Sequence, residues 1–210
     1  MTTTLPDQLW LATDATRQAI LQAAFVKGIK DKNLDPVKFC QFTIQDAIYV
    51  YKSKLSIDAA LRRSSPGPVT DLLRTLSQNY ATYATAMLDG WLIKENVADS
   101  AVKLGQACSE YIAYEKTVAE TMNPIYFLVA LLPCLRTWYW IGQQLATADK
   151  GIYTAWANDN FAGSTWRKLE AQVEAAYLVN AIDKAEAQTV YDKCMEYELR
   201  FFDSVRNQTY

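Results

Sequence analysis

Histidine is absent from the 210-residue sequence, which removes the commonest general base and the commonest transition-metal ligand together. Ser-His-Asp and Cys-His catalysis and His-carboxylate iron sites are thereby excluded, and no metal is expected. The seven glycines are scattered, with neither a GxxxxGK loop nor a GxGxxG turn, so kinase and dinucleotide-binding chemistry fall away. A surplus of positive charge is also missing. Lys plus Arg number 21 against 23 for Asp plus Glu, which leaves nothing to displace counterions from phosphates and no basic recognition helix, so nucleic acid is not an expected partner. Long apolar runs are missing too. The longest, Ile125 to Leu135, spans 11 residues, short of the roughly 18 a membrane-spanning helix needs, and reads as a buried core helix. The opening MTTTLPDQLW has no basic stretch leading into an apolar one, so no secretory or transit signal is expected and the cytoplasm is the default. Cysteines are few: Cys40, Cys108, Cys134 and Cys194 lie far apart without a CxxC pair and read as reduced thiols.

What is present is the composition of a globular protein, half apolar and 21% charged, in a length that fits one domain over residues 1–210. Beta-branched alternation is scarce, whereas apolar residues recur at spacings of three and four, which predicts an all-α helical bundle. A first helix is expected over Asp7 to Ala24, followed by FVKGIKDKNL as a link. Asp35-Pro36 supplies a cap and a first-turn proline for a helix reaching Arg63. After Ser64-Ser65-Pro66-Gly67-Pro68 a third helix extends to about Ile93, and a fourth starts near Asp99 and carries Tyr111. Asn123-Pro124 opens an unusually apolar fifth helix to about Ala146, in which Pro133 removes a backbone hydrogen bond and is expected to kink the chain. Helices over Ile152 to Phe161, Ser164 to Ala181 and Asp183 to Val205 complete the bundle.

Three positions set chemistry-bearing groups on apolar faces. Cys134 follows Pro133 and is either a buried space-filler or a nucleophile. Asp46 shares a helix face with Phe42, Tyr49 and Ser53, where a carboxylate must be hydrogen-bonded within the core or face a pocket. Glu198 lies among Tyr191, Met195, Phe201 and Phe202, and is either solvated or turned toward that apolar face. The chain holds 13 Tyr and 6 Trp, including Tyr111, Trp138, Tyr139 and Trp156, and such aromatic walls suit a flat heteroaromatic ligand as well as an ordinary core.

Taken in order, FVKGIKDKNLDPVKFCQFTIQDAIYV, Tyr111, ALLPC, YTAWANDN and EYELRFFD resemble the TenA or thiaminase II family over nearly the whole chain. The sharpest pieces are Gln45-Asp46 with Tyr49, Leu131-Leu132-Pro133-Cys134, and Glu198 ahead of Phe201-Phe202. The resemblance implies a haem-oxygenase-like bundle, a homotetramer, and hydrolysis of thiamin-breakdown pyrimidines such as 4-amino-5-aminomethyl-2-methylpyrimidine to the hydroxymethyl compound and ammonia, with thiamin a slower substrate and no cofactor. It also implies Cys134 as the nucleophile on the ring, Glu198 as its proton partner and Asp46 as anchor of the amidine-like edge. Tyr49 would line the ring and Tyr111 would hydrogen-bond near the thiol. Trp138, Tyr139 and Asn160 complete the implied substrate wall.

Departures fall on that wall. Ala23-Ala24 stands where the family often has His-Pro, Trp138 where a pocket tyrosine is expected, Trp140 where a glutamate often lies, and Asn160 in place of a further tyrosine. Altered polar contacts of this sort change which analogue a pocket rejects. The alternative expectation is therefore a divergent member that binds or processes another planar small molecule.

Overall fold

Capping chemistry sets where the long helices begin. The structure is a computed structural model that describes residues 3–94 and 102–206. Its α-helices are α1 (Leu5–Ala12), α2 (Asp14–Leu21), α3 (Ala24–Lys30), α4 (Pro36–Arg63), α5 (Pro68–Gly90), α6 (Gln106–Thr121), α7 (Pro124–Gln144), α8 (Thr154–Asn160), α9 (Trp166–Leu178) and α10 (Lys184–Asp203), and no strand occurs among the described residues. The Asp35 carboxylate accepts from the Val37 amide at 2.8 Å and starts α4, while Asn123 accepts from Ile125 at 3.2 Å and starts α7, each with proline as the first helical residue. Asp183 does the same for α10 through the Glu186 amide at 2.8 Å.

The single first helix expected over Asp7 to Ala24 is instead two short ones, α1 and α2, and the expected link FVKGIKDKNL is largely a third, α3. The break after α1 occurs at Thr13, whose hydroxyl turns back onto the Leu9 and Trp10 carbonyls, the local competition that makes threonine a poor helix interior. Ala23 is extended, and the amide of Ala24 is taken by the Asp203 carboxylate at 2.9 Å, so a residue from the far end of the chain starts α3. The start expected near Asp99 lies outside the described residues.

Helix α4 packs against α5 and α6, and α7 packs against α10, α9 and α6. Phe127, Leu128, Val129, Ala130 and Leu131 of α7 are wholly buried, each larger side chain contributing about 1.5–3 kcal/mol by leaving water. By length and composition α7 alone among the described helices could cross a membrane, yet 61% of its apolar window is buried inside the bundle, as suits a core helix. Helical structure continues through Pro133. Close packing of α7 on α8 depends on Gly142, since a Cβ there would stand 2.6 Å from Phe161 Cβ and 2.7 Å from its carbonyl oxygen.

Candidate active site

A cavity of about 350 Å³ opens between α4, α5, α7 and α8. Helical periodicity explains its walls. Positions 46, 49 and 50 of α4 share a face, as do 79, 80 and 83 of α5 and 134, 135, 138 and 139 of α7, and each set points into the same space. Asp159 and Asn160 at the end of α8, with Gly163 and Thr165 beyond it, close the rim.

Of the residues singled out in the sequence, Asp46, Tyr49, Cys134, Trp138, Tyr139 and Asn160 line this cavity, whereas Glu198 and Tyr111 are not among its lining residues. Those two lie in the core beside the thiol: Glu198 is 2% and Tyr111 1% exposed, the Glu198 carboxylate raises the Cys134 thiol, and Cys134 in turn raises the Tyr111 hydroxyl. Cys134 is half-buried and lies on the wall of this cavity, whose rim is open to solvent beside the exposed Tyr83. Burial, followed by the neighbouring Glu198 carboxylate, pushes the thiol well above its usual range, and the Tyr49 hydroxyl pulls it back.

Three buried carboxyls surround this sulfur, and the charge of each is dominated by loss of water. Burial raises Asp46 to about 7 and Glu198 to about 8, the latter opposed by Tyr111 and raised further by Asp46 and Glu115. Among the described residues, neither Glu198 Oε2 nor the Tyr111 hydroxyl completes a hydrogen bond, although the two groups are close enough to affect one another's ionisation. Buried polar atoms left open in this way are costly unless a ligand or water engages them. The third carboxyl, Glu115 of α6, is fully buried, sits at about 7, and accepts from the Tyr49 hydroxyl and from Ser53 Oγ at 2.6 Å each.

Sequence reasoning missed Glu115, although it repeats the pattern that singled out Asp46 and Glu198. It falls four residues after Tyr111 and three before Val118, inside an apolar stripe of α6. Tyr80, Tyr83 and Asn79 were likewise not expected at the site; only the packing of α5 on α4 brings them there.

The wall expected to depart from the family pattern is hydrogen-bonded and closely packed. Asn160 accepts from the Tyr83 hydroxyl at 3.0 Å and donates to the Trp156 carbonyl at 2.8 Å, so its amide is engaged at both ends. Trp138 packs on Phe202, Phe161 and Trp156 with ring centroids 5.2, 5.5 and 5.9 Å apart. Gln45 turns away from the cavity: its amide donates to the Lys103 carbonyl at 3.0 Å and its oxygen accepts from the Gly105 amide at 2.9 Å, which fixes the approach to α6. Among the described residues no group of three or more Cys, Asp or Glu side chains is arranged to hold a metal ion.

A carboxyl near neutrality beside a thiol, facing aromatic walls, can protonate a basic heterocycle and offer it a soft nucleophile. Residues 15–208 match the model of the TENA/THI-4/PQQC family. The chain is 26% identical over 211 residues to the thiamine biosynthesis multifunctional protein ThiED of Corynebacterium efficiens, covering 95% of this chain but only 28% of that longer protein. It is 23% identical over 207 residues to the aminopyrimidine aminohydrolase of Halalkalibacterium halodurans, covering 88% and 87% of the two chains. Among solved structures, a TenA family transcription regulator from a Silicibacter species superposes with a TM-score of 0.82 at 14% identity, covering 97% of each chain. A TenA homologue from P. horikoshii gives 0.78 at 18% identity, covering 97% of this chain and 98% of that one. These structural likenesses bear on the fold.

Proposed function

The chain belongs to the TENA/THI-4/PQQC family, and from that membership and its cavity we propose a Cys-dependent aminopyrimidine hydrolase of thiamin salvage, acting as one domain over residues 1–210. The observation that carries the reading is Cys134 opening onto the same cavity as Asp46, with Glu198 buried against the sulfur. The substrate is 4-amino-5-aminomethyl-2-methylpyrimidine, with thiamin a slower alternative.

Asp46 holds the amino group and the adjacent ring nitrogen. Glu198, protonated at neutral pH by its burial, gives its proton to the ring and then receives the proton of the Cys134 thiol. The sulfur bonds to the ring carbon next to the one bearing the side chain. The electron pair this releases expels the protonated side-chain amine as ammonia and leaves an exocyclic double bond. Water adds to that bond, the carbon–sulfur bond breaks, and the hydroxymethyl product leaves. Each half is an easier step than direct displacement of the amine. Assembly as a homotetramer in the cytoplasm belongs to the same proposal.

Incubation of the purified protein with the aminomethylpyrimidine should release ammonia, and Cys134→Ala should release none above background. Equal release by both proteins would overturn the reading. The engaged Asn160 and the Trp138 packing favour a second reading, in which the wall admits a different planar heterocycle; quenching of tryptophan fluorescence by such a compound, with no ammonia from the aminomethylpyrimidine, would select it.

A further inference from the structure

Behind the cavity wall, the Tyr49 hydroxyl sits between two groups that compete for its one proton. It donates to Glu115 Oε1 at 2.6 Å, and it is also the neighbour that favours the thiolate of Cys134. Ser53 occupies the other Glu115 oxygen at 2.6 Å. An ionised carboxylate can only accept, so it draws the Tyr49 proton away from sulfur; a neutral carboxyl has one proton to give and can reverse the bond. We propose that Glu115 is a positioning residue that acts on Cys134 through Tyr49: in its neutral form it donates to Tyr49, turns the phenol proton onto the sulfur and so stabilises the thiolate. The proposal rests on the reading of Cys134 as nucleophile.

The surroundings keep both forms of Glu115 accessible. From α4 it is faced by Tyr49 and Ser53, with Asp46 beyond; from α5 by Tyr80; from α7 by Cys134. From α10 come Cys194 and Glu198, and from its own helix Cys108 and Tyr111. All of these are neutral or acidic, and burial holds the group near neutrality, at about 7.

The test is the rate at which a small alkylating agent, iodoacetamide, modifies Cys134, followed by peptide mass spectrometry so that Cys40, Cys108 and Cys194 are scored separately. Glu115→Gln imitates the neutral carboxyl, because its amide donates at every pH. Its rate should match the wild type near pH 5 and exceed it by about tenfold near pH 9, the fold-change that one hydrogen bond to an ionised group carries. In a Tyr49→Phe background the same substitution should change the rate by less than about twofold, since the intermediary is gone. Superimposed profiles for Glu115→Gln and wild type, or an equal gain in the Tyr49→Phe background, would overturn the proposal. If Glu115→Gln fails to fold by circular dichroism, Tyr49→Phe alone decides: the wild-type rate should flatten near neutral pH, where Glu115 ionises and draws the Tyr49 proton from sulfur, and loss of that flattening in Tyr49→Phe supports the role, whereas its persistence overturns it. No pyrimidine is used, so failure of ammonia release with these rates intact would count against the hydrolase reading alone.

Discussion

At Asp46 the proposed role in binding substrate and the stability of the fold pull in opposite directions. The carboxyl is 7% exposed and burial alone raises it to about 7, so the fold bears a poorly solvated group on the cavity wall. Asp46→Asn keeps the shape and removes the charge. It should lower kcat/KM for the aminopyrimidine by about 10- to 100-fold, the worth of a charge-assisted hydrogen bond, without lowering Tm at pH 8. A fall in Tm with unchanged kcat/KM would show that the residue serves packing and not the ligand. Glu115 and Glu198 obey the same physics, and all three stand on apolar helix faces in the sequence. The pattern is readable from spacing; the convergence of three such faces on one sulfur is not.

At the scale of elements, the cavity wall formed by α8 depends on how closely α7 approaches it. Gly142 permits that approach, because a methyl group at this position meets both the side chain and the carbonyl of Phe161. Gly142→Ala should therefore lower stability by about 1–3 kcal/mol in urea unfolding, despite the better helix propensity of alanine. It should also displace Phe161 from Trp138 and shift the tryptophan emission. An alanine variant as stable as wild type would mean that α8 can move away at little cost. Where local chemistry governed an element, the sequence was a good guide: the cap-and-proline pairs placed the starts of α4 and α7 at Pro36 and Pro124. Where an element depended on a distant partner, it was not. Helix α3 is started by Asp203, and nothing within FVKGIKDKNL announces that.

For the whole molecule, the three buried carboxyls should make stability depend on pH in the direction opposite to ordinary salt-bridged acids. Asp46, Glu115 and Glu198 have folded-state values of about 7, 7 and 8, above the roughly 4 of an unfolded chain. Below about pH 4 they are protonated in both states. As pH rises from there toward 8 the unfolded chain releases protons that the native protein retains, so stability falls over that window and levels off once the native groups ionise. Calorimetry should show Tm higher at pH 5 than at pH 8, and Glu198→Gln should flatten part of that slope. A Tm that rises across the window would contradict the assigned burial.

Taken alone, the sequence determined the class of fold, because three- and four-residue periodicity and capping are local properties. It also determined the excluded chemistries, because a residue type that is absent cannot act. The motifs around Asp46, Cys134 and Glu198 carried the family resemblance that the model match over residues 15–208 bears out. Only the tertiary structure decided that Cys134, Asp46, Trp138 and Asn160 share one cavity, that Glu198 lies behind the sulfur, and that Glu115 belongs to the same cluster through Tyr49. The physical reason is that periodicity fixes which residues share a helix face but carries no information about which faces meet. That is set by the close packing of side chains far apart in the chain.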